Sequence, residues 1–248
     1  MHVGIGTLLF QQGKIDEAIY ELQIAMKIGP NSTALNNLAV ALSLKGRTDE
    51  AMVCCKRAIG LDPNNPEAHY NLGNILLSQN KLKKAISEYE KAVSIKPKYT
   101  KANINLSVAL TRENQFDEAI KYAAKAAKTE PNNFDAQYNL AMSLGQRGRI
   151  DEAINCFGKT VEIEPNNADA HFGLAQALVY KNRLQEAANE YRQVLNLQPQ
   201  DIDTRCILGD VLAKQNRFDE AAVEYRQVLK IDPNNSHAQQ GLKNIQQK

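Results

Sequence analysis

The 248-residue chain has no tryptophan, only four cysteines and no long apolar run. Cys54 and Cys55 are adjacent while Cys156 and Cys206 stand alone, so neither metal-site spacing nor a disulfide framework is present. A reduced interior without cofactor or structural metal is the expectation. Charge of one sign is scarce as well. Thirty basic against twenty-eight acidic side chains leave +2, and no long basic run marks a phosphate-tracking stripe, which argues against nucleic acid. The stretch "VGIGTLLF" near the start is too short to span a bilayer and has no basic n-region or cleavage site, so membrane insertion is not expected and the expected location is cytoplasmic.

What the chain does contain is a period. Pro63, Pro97, Pro131, Pro165, Pro199 and Pro233 are each 34 apart, and Pro30 precedes Pro63 by 33. Ala18, Ala51, Ala85, Ala119, Ala153, Ala187 and Ala221 keep the same spacing. Repeats of this length indicate a solenoid. Within a unit, apolar residues near a 3.6 period predict two helices. Between them one slot holds only Gly13, Gly46, Asn80, Asn114, Gly148, Asn182 and Asn216, the residues that tolerate the left-handed conformation closing a helix.

Asp16, Asp49, Asp117, Asp151 and Asp219 then mark the start of the second helix, where their charge suits the helix N-terminus, so capping is expected of them rather than acid-base chemistry. The 34-spaced proline ends that helix, and the Asn-Asn following it in several units suits a polar turn. Leu38, Leu72, Leu106, Leu140, Leu174 and Leu208, each with a leucine four residues on, form the apolar stripe of the first helices. Small residues one place later (Gly6, Ala39, Gly73, Ser107, Ala141, Ala175, Gly209) are expected to face the periodic alanines and bring the helices close.

These slots resemble the tetratricopeptide repeat along essentially the whole chain. The resemblance implies an all-α solenoid of stacked antiparallel helix pairs in a right-handed superhelix, as one domain over 1–248. Its repeats would run 1–31, 32–65, 66–99, 100–133, 134–167, 168–201 and 202–235, with a capping helix over 236–248. The chain departs from the family where tryptophan is usual, carrying Leu35, His69, Asn103, Gln137, His171 and Arg205 instead. Thr160, Val194 and Val228 also replace an alanine in the last three units.

No G-x-S-x-G, H-E-x-x-H or Walker loop occurs, and no catalytic site is expected. His69 and His171 read as packed helix residues and Cys55 as core filler. The resemblance instead implies a concave groove lined by the first helices, where Asn37, Asn71, Asn105 and Asn139 recur at one slot, with Asn74 on the same face. An amide donates and accepts at once, which suits the backbone of an extended peptide. Tyr70, Ile104, Tyr138 and Phe172 stand one residue earlier as candidate pockets, Lys101 and Arg112 supply positive charge, and Asp135, Asp169, Asp203 and Asp210 make the later half acidic.

The expected function is a protein-interaction scaffold, not an enzyme, holding an extended peptide or partner helix. The alternative is the substrate-recognition region of a larger enzyme, since the asparagine row is similar to that of O-linked N-acetylglucosamine transferases. The apolar first helix lacks a polar cover, so the expectation is either that further repeats precede it or that it packs on a partner or a second copy of the chain.

Overall fold

A computed structural model describes residues 1–29 and 31–247, so the expectation that Pro30 ends a helix lies outside the described residues. Among the described residues there are fifteen α-helices and no strand. The chain forms two compact units, Met1–Glu130 and Pro131–Lys248. The first contains α1 (His2–Gln11), α2 (Ile15–Ile28), α3 (Ser32–Leu44), α4 (Thr48–Leu61), α5 (Pro66–Ser78), α6 (Leu82–Ile95), α7 (Thr100–Arg112) and α8 (Phe116–Thr129). The second contains α9 (Phe134–Gln146), α10 (Ile150–Ile163), α11 (Ala168–Tyr180), α12 (Leu184–Leu197), α13 (Ile202–Lys214), α14 (Phe218–Ile231) and the closing helix α15 (Ser236–Gln246). In each unit, odd-numbered helices pack on the even-numbered helix that follows.

The Gly/Asn slot behaves as its chemistry demands. Gly13, Gly46, Asn80, Asn114, Gly148, Asn182 and Asn216 all have positive φ, from 56° to 82°. That turn lets the next residue's N–H reach back into the helix, as from Lys81 to the Leu76 carbonyl at 2.9 Å, and so closes the helix end. The seven second helices stop two residues before the proline slot.

The Asn-Asn pairs do more than turn the chain. Asn65, Asn133, Asn167 and Asn235 accept a hydrogen bond from the backbone N–H three residues on, capping α5, α9, α11 and α15. Asn31 and Asp201 do the same for α3 and α13, whereas Tyr99, before α7, supplies no side-chain cap. The acidic pairs lie in the first turns of α2, α4, α8, α10 and α14, where their charge meets the helix N-terminus as expected; the residue before each second helix makes no side-chain cap bond. Arg47, Arg183 and Arg217 each grip the Glu three residues on with two N–H groups at 2.7–2.8 Å.

The small-residue row has a nearer neighbour than the periodic alanines, although a Cβ on Gly6 would also lie 3.3 Å from the Ala18 carbonyl oxygen. A Cβ on Gly73 would lie 2.5 Å from the Tyr89 ring, one on Gly209 2.6 Å from Tyr225, and one on Gly6 2.7 Å from Leu22. The missing side chain thus makes room for a large residue of the second helix, sixteen positions on. The periodic alanines are fully buried. In the first unit both leucine rows are buried; in the second, Leu140 and Leu174 are half-buried. Thr160 fits the core by donating its hydroxyl to the Phe157 carbonyl at 2.7 Å. In α15, Ala238 and Gly241 are buried and Leu242 and Ile245 half-buried.

Candidate interaction surface

In the first unit the asparagine row falls on α3, α5 and α7, and its amides bridge successive first helices. Asn37 donates through Nδ2 to Thr7 Oγ1 at 3.0 Å, and Asn71 to Asn36 Oδ1 at 2.7 Å. Asn105 donates to Asn74 Oδ1 at 2.8 Å and to the Tyr70 hydroxyl at 3.4 Å. Asn74 Oδ1 also accepts from the Tyr89 hydroxyl at 2.8 Å. The row is therefore first a chain of repeat-to-repeat bonds.

Capacity is left over. Each amide has two N–H donors and two acceptor positions. Asn37 and Asn71 each keep one donor beyond the bonds above, Asn74 keeps its NH₂, and Asn105 keeps its oxygen. All four are half-buried, so solvent reaches them. Asn139 lies in the second unit, where its Nδ2 donates to the Asp135 carbonyl of its own helix at 2.7 Å.

The residues one place earlier divide. Tyr70 is half-buried, its ring 5.1 Å from Tyr99 and 6.0 Å from Tyr89. Ile104 is only 8% exposed and belongs to the core, which removes it as a pocket wall. In the second unit Tyr138 stacks on Phe134 at 5.5 Å and meets Phe157 edge-on, while Phe172 meets Tyr191 edge-on at 5.7 Å. Both are half-buried and keep an accessible portion.

Charge is placed at the helix ends. Lys101 and Arg112 are exposed in the first and last turns of α7. Burial pushes the Tyr89 phenol well up, with the Asn105 amide and the Arg112 charge pulling the other way. Burial and then the Asp169 charge raise Tyr138. Asp135, Asp169 and Asp203 are exposed in the first turns of α9, α11 and α13. Asp210 instead accepts from the Tyr225 hydroxyl at 2.7 Å and meets His237 Nε2 at 2.8 Å.

From the third repeat on, the tryptophan-replacing slot holds polar residues for a reason that the sequence does not display. His69, Asn103, Gln137, His171 and Arg205 each bond the carbonyl of the proline six residues upstream, at 2.9–3.1 Å. Gln239 repeats the bond to Pro233 at 3.0 Å. The slot thus fastens the turn between one helix pair and the next. Cys55 is fully buried, and burial pushes its thiol up to about 12, an inert core residue.

Profiles described as "TPR repeat" match residues 41–79, and profiles described as "Tetratricopeptide repeat" match 66–99, 110–162, 138–202 and 172–236. The chain is built of tetratricopeptide repeats. Its similarity to the TPR repeat-containing thioredoxin TTL4 of Arabidopsis thaliana is 30% identity over 81 residues, which is 32% of this chain and 12% of that protein. Among solved structures, the C-terminal part of a TPR repeat-containing protein from Cytophaga hutchinsonii superposes with a TM-score of 0.77 at 18% identity, covering 97% of this chain and 99% of that one. YrrB, described as a TPR protein with an unusual peptide-binding site, superposes with a TM-score of 0.67 at 23% identity, covering 79% of this chain and 97% of that one. These likenesses fix the tetratricopeptide-repeat fold. No helix among the described residues is long and apolar enough to cross a membrane.

Proposed function

We propose that the chain is a protein-interaction scaffold of seven tetratricopeptide repeats whose first-helix face in the first unit binds an extended peptide along Asn37, Asn71, Asn74 and Asn105. The carrying observation is the bonding pattern of that row. Its cross-repeat bonds hold the amides at fixed spacing, and each amide still has a donor or an acceptor to offer. A peptide backbone presents the same alternation of donors and acceptors, so the row suits main-chain recognition with little dependence on side chains. Tyr70 beside the row offers aromatic surface, and Lys101 and Arg112 favour acidic residues in the ligand.

Selection of ligands on a peptide array, followed by hydrogen exchange of the complex, tests this reading. The best ligand should add protection on α3, α5 and α7. Protection confined to the second helices would refute it. A second surface lies on α1, where Ile5 and Leu8 are 39% and 58% exposed and offer an apolar contact to another copy. Leu8→Glu should then lower self-association in sedimentation velocity.

A further inference from the structure

We propose that His69 with Glu88, and His171 with Glu190, are proton-dependent latches that fasten the turns before α5 and α11. His69 Nε2 lies 3.0 Å from the Pro63 carbonyl and Nδ1 lies 2.6 Å from Glu88 Oε2. His171 repeats both contacts, to the Pro165 carbonyl at 2.9 Å and to Glu190 Oε2 at 2.6 Å. A carbonyl oxygen only accepts, so Nε2 must carry a hydrogen. The contact at Nδ1 needs a hydrogen as well, on the ring or on the carboxyl group.

Two contacts thus need two hydrogens, and a neutral ring beside a carboxylate has one. When the extra proton leaves, either the ring nitrogen and the carbonyl or the ring nitrogen and the carboxylate face each other with lone pairs. Both rings are buried, 4% and 6% exposed, so water does not readily fill the gap.

The seventh repeat contains a version that cannot titrate. Arg205 occupies the same slot and makes both bonds at once, to Glu224 Oε2 at 2.9 Å and to the Pro199 carbonyl at 2.9 Å. Guanidinium keeps its hydrogens at any physiological pH. Gln137 is the neutral version, bonding the Pro131 carbonyl through Nε2 while its buried Oε1 has no partner. Apart from the apolar Leu35, the slot is therefore filled in three chemical ways (guanidinium, amide and imidazole), of which imidazole is the one whose hydrogen count can change.

The other charges nearby are accounted for. Lys91 of α6 holds the second oxygen of Glu88 at 2.8 Å, and Glu90 of α6 and Ile59 of α4 line the same cleft as His69. Asp62 in that turn accepts from the Asn64 backbone N–H. Around Glu190, α10 contributes Lys159 and Glu162, Arg183 just before α12 pairs with Glu186 in its first turn, and Glu164 in the turn accepts from Asn167.

The sign follows from the proton count. The closed latch binds a proton that the open turn releases, so its stabilisation is present at low pH and is lost as pH rises. The test compares the full chain with H69R/H171R by thermal unfolding and by amide exchange at about pH 5 and about pH 8, spanning the interval in which histidine ordinarily changes charge. The wild type should lose melting temperature and exchange protection at the starts of α5 and α11 on going to the higher pH, and the arginine variant should lose less of both. An equal pH response in the two proteins would overturn the proposal. Should the arginine variant fail to fold, H69Q/H171Q, built like the Gln137 repeat, takes its place with the same expectation, and an unchanged pH response there overturns the proposal equally.

Discussion

Gly73 and Tyr89 fit only because one of them has no side chain: a Cβ on Gly73 would stand 2.5 Å from Tyr89 Cε1. The pair joins α5 to α6, and the Tyr89 hydroxyl goes on to bond Asn74. Packing inside the repeat and the asparagine row are therefore one structure.

Gly73→Ala should destabilise the protein. Overpacking of this kind costs about 1–3 kcal/mol, more than the roughly 0.5–1 kcal/mol that alanine gains over glycine inside a helix. At about 2–4 °C per kcal/mol for a chain of this size, a fall in melting temperature of several degrees is expected. Gly4→Ala, with nothing within 4 Å of its Cβ, is the control and should not fall.

The helix-closing slot gives a sharper comparison. Asn114 has φ of 60°, a region that costs an ordinary L-residue about 1–2 kcal/mol. Asn114→Ala should lower the melting temperature in denaturation experiments, while Asn114→Gly, at the same position and with the same loss of side chain, should not. Equal losses in both variants would mean that the asparagine side chain matters and its backbone conformation does not.

Alkaline pH should weaken the fold through its buried tyrosines. Burial pushes Tyr191 up to about 12 from 10.0, and raises Tyr89, Tyr99 and Tyr225 as well. A phenol with a raised folded-state pKa stays protonated in the fold after its unfolded counterpart has ionised. Its contribution is complete below about pH 10 and is lost as pH climbs toward the folded value. Melting temperature should fall over that range, and less steeply in Tyr191→Phe.

Thiol labelling reads the core directly. Cys55 is fully buried with its thiol raised to about 12, and Cys54 and Cys206 are also buried, whereas Cys156 is half-buried. A thiol reagent at neutral pH should modify Cys156 first and reach Cys55 only on unfolding. Early modification of Cys55 in mass spectrometry would show that α4 opens locally.

How much of this could be read in the sequence depends on whether a constraint leaves a mark on residue identity. The left-handed slot does, because only Gly and Asn occupy it, and the helix boundaries follow from it and from the prolines. The nearest neighbour of Gly73 is not legible in the sequence, because glycine signals close approach without saying to what; the spacing of sixteen to Tyr89 is the available signal. The asparagine row was visible as a repeated identity. Its bonds to Thr7, Asn36, Asn74 and Tyr70 were not, since they cross repeats 30 to 35 residues apart and depend on how neighbouring helices register. The proline-carbonyl bonds were hidden for a different reason. A backbone acceptor has no letter, so His69, Asn103, Gln137 and Arg205 look unrelated until the turn is seen.

The central claim is that the asparagine row of the first unit grips a peptide backbone, and titration of the best array-selected peptide against Asn71→Ala/Asn105→Ala tests it most directly. Two lost hydrogen bonds of about 0.5–1.5 kcal/mol each should weaken binding roughly tenfold or more. Asn36→Ala removes the cross-repeat acceptor of Asn71 without removing a groove amide, and it controls for changes in repeat packing. A large loss of affinity is expected in the double variant and a small one in Asn36→Ala, with helicity kept in both. Equal affinity of the double variant and the wild type, with both folded, would contradict it.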